Sequence, residues 1–154
     1  MKLKRITLKV PKTFQYLLFA TLATSWCSGI TFFILNRFIT IEGDFGPQKH
    51  PWQFPAISTH GLAAFMMMIL FGAMLASHVP MAWQTKKLRF WSITFVIAVS
   101  LQIITGYSLY YLASEDSREI TGYFHLAVGF CLPIILAIHV ISAAKNRKKK
   151  NVAH

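Results

Sequence analysis

Four apolar runs, each long enough to cross a bilayer, occupy most of this sequence. They extend over residues 14–38, 55–79, 90–112 and 120–143. A helix needs about 20 apolar residues to cross a hydrocarbon core of roughly 30 Å, and there it satisfies all of its backbone hydrogen bonds internally. The apolar fraction is 55% and the mean hydropathy is +0.48, both high for a soluble domain. The pattern predicts an all-α membrane protein, a four-transmembrane-helix bundle that forms a single domain over residues 14–144.

The charged residues lie between and outside these runs. Thirteen of the 16 Lys and Arg residues stand in the N-terminal flank (residues 1–13), in the loop between the second and third runs, and in the tail (145–154). All five acidic residues stand in the other two loops. The positive-inside rule therefore predicts that both termini are cytoplasmic and that the second and fourth helices run in the same direction. The net charge of +11 does not indicate nucleic-acid binding, because the basic residues flank the spans without interleaved aromatic residues.

The loops and helix ends have recognisable signals. The first run has about 25 residues, which exceeds a signal-peptide core of about 7–15 residues, so we expect a retained helix. Gly, Pro and acidic residues over 39–54 predict a loop, and Trp52 in it is typical of the membrane interface. We expect Pro55 to begin the second helix and Pro80 to end it. Residues 113–119 are predicted to form an acidic loop. The basic tail is predicted to be disordered or to lie on anionic lipid.

Two pairs of histidines stand in the second and fourth runs. His125 and His139 are 14 residues apart, and at about 100° per residue they fall within roughly 40° of one helix face. His60 and His78 are 18 residues apart, about five whole turns, so they also share a face. Because the two helices are predicted to be parallel, the four histidines fall at two matching depths, separated by about 21 Å in the fourth helix.

This arrangement predicts two haem b groups stacked across the membrane. His60 and His125 would ligate the outer haem iron, and His78 and His139 the inner haem iron. No CxxCH motif is present, so the haems would be bound non-covalently. A histidine in a span is also commonly hydrogen-bonded to a backbone carbonyl or lines a polar cavity, and this alternative stays open for each one. Two cysteines, Cys27 and Cys131, fall inside spans, where we expect small buried side chains rather than a disulfide.

Other residues have weaker signals. Gly29, Gly106 and Gly129 are candidates to leave room for a haem, although small residues are also common where helices pack closely. Arg118 is a candidate to pair with a haem propionate, and the alternative is a cation that snorkels or sets the topology. His50 lies in a loop and is left outside the ligand set.

Several short motifs resemble one family. They are FGPQKHPW from Phe45, STHG around His60, SHV around His78, TGYSLYY closing the third run, and REITGYFHLAVGFCLPIILAIH ending at His139. Together they resemble small bacterial four-helix di-haem b-type cytochromes, akin to the cytochrome b module of dehydrogenases and the ascorbate-type transmembrane cytochromes b. The resemblance covers about residues 45–139 and implies that His60, His78, His125 and His139 occupy the ligand positions. The His60 to His78 spacing is wider than is common in that family.

The resulting hypothesis is an electron-transfer subunit of an oxidoreductase, rather than a stand-alone enzyme, in the bacterial inner membrane. It would carry electrons between a quinone pool or the cytoplasmic side and a redox partner protein on the periplasmic side, with membrane lipid around its helices. A second hypothesis is a small transporter whose histidines relay protons or bind a metal, although its spans carry no Asp or Glu. A third is a haem-free structural or assembly subunit of a membrane complex.

Overall fold

Four helices dominate the part of the chain that the structure describes. The computed structural model describes residues 10–83 and 89–152, apart from the side chains of residues 78, 81–83, 89 and 146–152. The helices are α1 (Lys12–Phe38), α2 (Gln53–Trp83), α3 (Arg89–Tyr111) and α4 (Glu115–Val152). Each contains a stretch of at least 22 residues that is long and apolar enough to cross a membrane. Since 22 helical residues extend about 33 Å, the prediction of four such helices is confirmed.

The chain divides into two compact units, Met1–Val79 and Pro80–His154. In the first unit, two side chains of α2 reach backbone carbonyls of α1. Gln53 Nε2 donates a hydrogen bond to the Leu35 carbonyl at 2.9 Å, and His60 Nδ1 lies 2.8 Å from the Ser25 carbonyl oxygen. From Gln53 to His60 the chain of α2 advances, while its partner in α1 moves back from Leu35 to Ser25. The two helices are therefore antiparallel.

In the second unit, α3 and α4 pack against each other as an antiparallel pair. Their buried apolar side chains are Ala98 and Val99 in α3 and Leu132 and Leu136 in α4. These alanine and valine side chains are small, which lets two helices approach closely in the absence of a large core.

A two-stranded hairpin joins α1 to α2. Strands β1 (Thr40–Gly43) and β2 (Gly46–Lys49) are antiparallel, and Gly43 pairs with Gly46 across the turn. Gly46 has φ +107°, a value that glycine adopts without steric cost because it has no Cβ. The sequence predicts only a loop over 39–54, because Gly and Pro interrupt any strand-like alternation there.

Helix α2 differs at both ends from its prediction. It begins at Gln53, so Pro55 is its third residue, where a missing N–H still costs no helical hydrogen bond. Pro80 lies inside the helix, which continues to Trp83, so the prediction that Pro80 ends it was wrong. A proline removes one backbone hydrogen bond, and long apolar helices tolerate such a loss where it is locally compensated.

Helix α4 is longer than predicted at both ends. It starts at Glu115 instead of Ile120, because Glu115 and Asp116, predicted as part of a loop, lie in its first turn. Ser114 Oγ accepts a hydrogen bond from the Ser117 amide at 3.4 Å, and Glu115 and Asp116 favour the positive end of the helix dipole. At the other end the backbone is helical to Val152. The basic tail, which was predicted to be disordered or to lie on lipid, therefore continues α4 as a helix as far as Val152.

The outward faces of the helices are apolar and open. No more than 17% of the residues in the most apolar part of each helix are buried. Leu62, Ile104 and Ile134 are 66%, 60% and 62% exposed, a pattern suited to contact with lipid. Cys27 and Cys131 are also exposed and form no disulfide. Their predicted burial was wrong: both side chains are exposed, and Cys131 lines an open apolar cavity together with Ala98 and Leu101 of α3.

Candidate functional site

His60 packs directly on the backbone of α1. Its ring lies over Gly29, where an added Cβ would stand 2.9 Å from both Cε1 and Nδ1. Its Nδ1 lies 2.8 Å from the carbonyl oxygen of Ser25, one turn earlier in α1. A residue larger than glycine at position 29 would therefore displace the imidazole from this hydrogen bond.

The partner of Nδ1 determines the tautomer of His60. The Ser25 carbonyl oxygen can only accept a hydrogen bond, so Nδ1 must carry the proton and donate. In the neutral ring the lone pair is then on Nε2. A histidine that ligates a metal through one nitrogen typically donates its other N–H in this way, to a carbonyl, a carboxylate or water.

His125 has the equivalent arrangement in the second unit. Its ring lies over Gly106 of α3, where an added Cβ would stand 3.2 Å from Cε1. Its Nδ1 lies 2.9 Å from the hydroxyl oxygen of Thr105. In each unit, therefore, a histidine in the later helix (α2 or α4) packs over a glycine of the earlier helix (α1 or α3). The same histidine also forms a hydrogen bond with that earlier helix.

The hydrogen bonds of Thr105 determine the tautomer of His125. Thr105 Oγ1 donates its one proton to backbone carbonyls of its own helix, at 2.6 Å to Leu101 and 3.3 Å to Gln102. The hydroxyl can therefore only accept from the imidazole, so Nδ1 of His125 is the donor. The lone pair of the neutral ring is again on Nε2.

The second histidine of α4 also faces α3. The ring of His139 lies nearly parallel to that of Phe95, with 6.4 Å between centroids and 23° between planes. His125 and His139 both meet α3, which is the shared face that their spacing predicts. His78 lies in the helical part of α2, and its side chain is outside the described residues.

Between the levels of His125 and His139, a glutamine of α3 meets a glycine of α4. A Cβ added to Gly129 would lie 2.7 Å from Nε2 of Gln102. The amide oxygen of Gln102 is buried and has no hydrogen-bond partner among the described residues. In this structure Gly29, Gly106 and Gly129 all leave room for a side chain of the neighbouring helix.

Arg118 and His50 form hydrogen bonds near the ends of the helices. The guanidinium of Arg118 donates from Nε and Nη2 to the carbonyl oxygen of Leu112, at 3.2 and 2.7 Å. It therefore binds a backbone carbonyl that follows the last turn of α3. Nδ1 of His50 accepts a hydrogen bond from the Trp52 amide at 3.2 Å, just before α2 begins.

The groups that form hydrogen bonds with His60 and His125 were not predicted from the sequence. Ser25 contributes only its backbone carbonyl, which leaves no signal in residue type. Thr105 stands beside Gly106, but a threonine in an apolar helix commonly donates a hydrogen bond to a carbonyl of its own helix. Its residue type therefore gives no signal of a contact with His125. Among the described residues, no three His, Cys, Asp or Glu side chains converge as a metal-binding cluster. Two axial histidines per iron would not form such a cluster.

Comparison of the chain with protein-family models, with curated proteins and with solved structures finds no match.

Proposed function

We propose that this protein is a membrane-spanning di-haem b-type cytochrome, with His60, His78, His125 and His139 as axial ligands. One observation carries the proposal: His60 and His125 each donate Nδ1–H to the neighbouring helix, which leaves the lone pair of the neutral ring on Nε2. This is the state in which histidine binds iron.

The residues of this chain have separate roles in the proposal. By their spacing in the sequence, His60 and His125 would ligate the outer haem iron, and His78 and His139 the inner haem iron. The glycines beneath His60 and His125 let each ring lie against a helix backbone, which limits its rotation. Bound haem would supply a one-electron carrier whose potential depends on its axial ligands and on burial. The open apolar faces contact lipid, which keeps water away from the helix pairs.

The hydrogen bond at His60 is also what the simpler interpretation predicts, namely a histidine satisfied by a backbone carbonyl. That bond occupies Nδ1, whereas ligation uses Nε2, so the two roles are compatible. A ligand histidine needs such a second contact to hold its ring in one orientation. Haem binding itself therefore decides between the two interpretations.

The proposed setting is the bacterial inner membrane, with both termini on the cytoplasmic side. The distribution of Lys and Arg supports this orientation. The protein would act as an electron-transfer subunit, between quinone or the cytoplasmic side and a periplasmic redox partner. Its chemistry would be confined to electron transfer, with the substrate reaction performed by the partner.

The test is haem stoichiometry. Full-length protein, produced with added haem precursor and purified in detergent, is measured by reduced-minus-oxidised spectrum, haem assay and protein assay on one sample. We expect a b-type α band and two haems per chain. His125→Ala and His60→Ala should each lose one haem. His50→Ala is the matched control, because the His50 ring accepts a hydrogen bond from the Trp52 amide in the loop, and it should keep both haems.

Two results would refute the proposal. Wild-type protein without haem would leave the transporter and assembly hypotheses. An unchanged haem content in His125→Ala would show that this histidine is not an axial ligand.

A further inference from the structure

The two outer histidines are held by chemically different acceptors. His60 donates to a backbone carbonyl, which no side-chain substitution removes. His125 donates to the hydroxyl of Thr105, which one substitution does remove. The contribution of this second contact can therefore be isolated at His125 alone.

The hydroxyl of Thr105 is oriented by its own helix. Oγ1 donates to the Leu101 carbonyl at 2.6 Å, a short bond that holds the oxygen in place. The same oxygen then presents its lone pair to Nδ1 of His125 at 2.9 Å. The two bonds form a chain from a backbone carbonyl to an imidazole. Because the carbonyl can only accept, the hydroxyl donates its one proton to it and accepts from Nδ1.

The ring of His125 is restrained on a second side by Gly106. An added Cβ at this glycine would stand 3.2 Å from Cε1, so the edge of the imidazole lies on the backbone of α3. The contact with Gly106 limits how closely the His125 ring approaches the backbone of α3. The hydrogen bond with Thr105 limits the rotation of the ring. Adjacent residues of one helix therefore provide both restraints.

We propose that Thr105 is a positioning residue that sets the tautomer and ring orientation of His125. The inference rests on the proposed haem ligation and extends it to a residue that does not touch the iron. By accepting Nδ1–H, the hydroxyl keeps the lone pair on Nε2 and increases the electron density of the ring. A more basic ligand favours the ferric state, so the contact lowers the reduction potential of that haem.

Thr105→Val is the decisive variant, because valine has nearly the shape of threonine and lacks the acceptor. We expect the affinity for the haem at His125 to fall about 10- to 100-fold, as for other losses of such contacts. We expect its reduction potential to rise, with a tenfold change in the ferric–ferrous equilibrium equal to about 59 mV. Thr105→Ser keeps the hydroxyl and should restore the wild-type values.

Thr94→Val is the matched control. Thr94 lies in the same helix and donates to its own i−4 carbonyl, that of Phe90, at 3.0 Å. It therefore tests the loss of a threonine hydroxyl without the loss of a histidine acceptor. Thr94→Val should leave haem affinity and both potentials unchanged.

A second measurement does not need haem. In full-length protein prepared without haem and with ¹⁵N-labelled histidine, the ring nitrogen shifts report which nitrogen of His125 carries the proton. The resonance is assigned by its absence from His125→Ala. We expect the Nδ1–H form in wild type and in Thr105→Ser, and a loss of that preference in Thr105→Val. Far-UV circular dichroism checks that each variant is folded.

The outcomes separate the two proposals. If wild type binds two haems and Thr105→Val matches it in affinity, potential and tautomer, the positioning role is refuted and the proposed function stands. If wild type binds no haem, the proposed function fails. The role of Thr105 is then tested by the tautomer measurement alone. If His125 in Thr105→Val keeps the preference for the Nδ1–H form seen in wild type, the role of Thr105 is refuted.

Discussion

Substitution of Gly29 by alanine tests the close approach of His60 to α1. The new Cβ would stand 2.9 Å from Cε1 and Nδ1 of His60. Because carbon atoms in contact prefer about 3.5 Å or more, the ring must move by about 0.6 Å. A shift of that size directed away from α1 lengthens the 2.8 Å contact with the Ser25 carbonyl to about 3.4 Å, beyond the usual range of a hydrogen bond.

The expected cost follows from three terms. Overpacking costs about 1–3 kcal/mol, and the weakened hydrogen bond costs about 0.5–1.5 kcal/mol. Alanine returns up to about 1 kcal/mol, because it has a better helix propensity than glycine. We therefore expect Gly29→Ala to lower the free energy of unfolding by about 0.5–4.5 kcal/mol.

The chain offers a graded control series for this measurement. An added Cβ at Gly72 meets no atom within 4 Å, so Gly72→Ala should be neutral or stabilising by up to about 1 kcal/mol. Gly106, with a nearest distance of 3.2 Å, should fall between the two. Unfolding is followed by circular dichroism as denaturing detergent is added to mixed micelles. If Gly29→Ala proves as stable as Gly72→Ala, the inferred contact between His60 and α1 is wrong.

Two further predictions concern the α3–α4 pair. Gly129→Ala should destabilise the protein by no more than about 1 kcal/mol, because its Cβ would lie 2.7 Å from Nε2 at the end of the flexible Gln102 side chain, which can move aside. Gln102→Ala should remove most of that cost in a double-mutant cycle, and additive effects would contradict the contact. Arg118→Leu removes two hydrogen bonds to the Leu112 carbonyl and should cost about 0.5–1.5 kcal/mol in the same micelle titration, with the haem content unchanged. Loss of haem in Arg118→Leu would instead support its predicted role beside a propionate.

Helix positions were predictable because their signals are local. Runs of apolar residues predicted all four helices, and the 14-residue spacing predicted one face for His125 and His139. Errors occurred where a local rule was overridden. Pro80 was expected to end α2, but α2 continues to Trp83 despite the backbone hydrogen bond that a proline removes. The acidic residues before Ile120 were assigned to a loop, although a cap and the helix dipole stabilise them as the first turn of α4.

The hairpin between α1 and α2 was missed for a different reason. Its strands are four residues long, and Pro47 and two glycines interrupt the alternation that identifies a strand. Its pairing depends on a turn in which Gly46 has a positive φ. Isolated strands of this length carry too little pattern to be distinguished from a loop.

The sequence by itself determined that the chain forms four long apolar helices and that two of them carry histidines at helical spacing. These properties follow from residue type and periodicity along a single helix, so they need no partner. Only the tertiary structure decided what each ring touches: Gly29 and the Ser25 carbonyl for His60, and Thr105 for His125. The physical reason is that a tautomer depends on the acceptor facing Nδ1. That acceptor belongs to another helix, and in one case to its backbone, which is the same for every residue type.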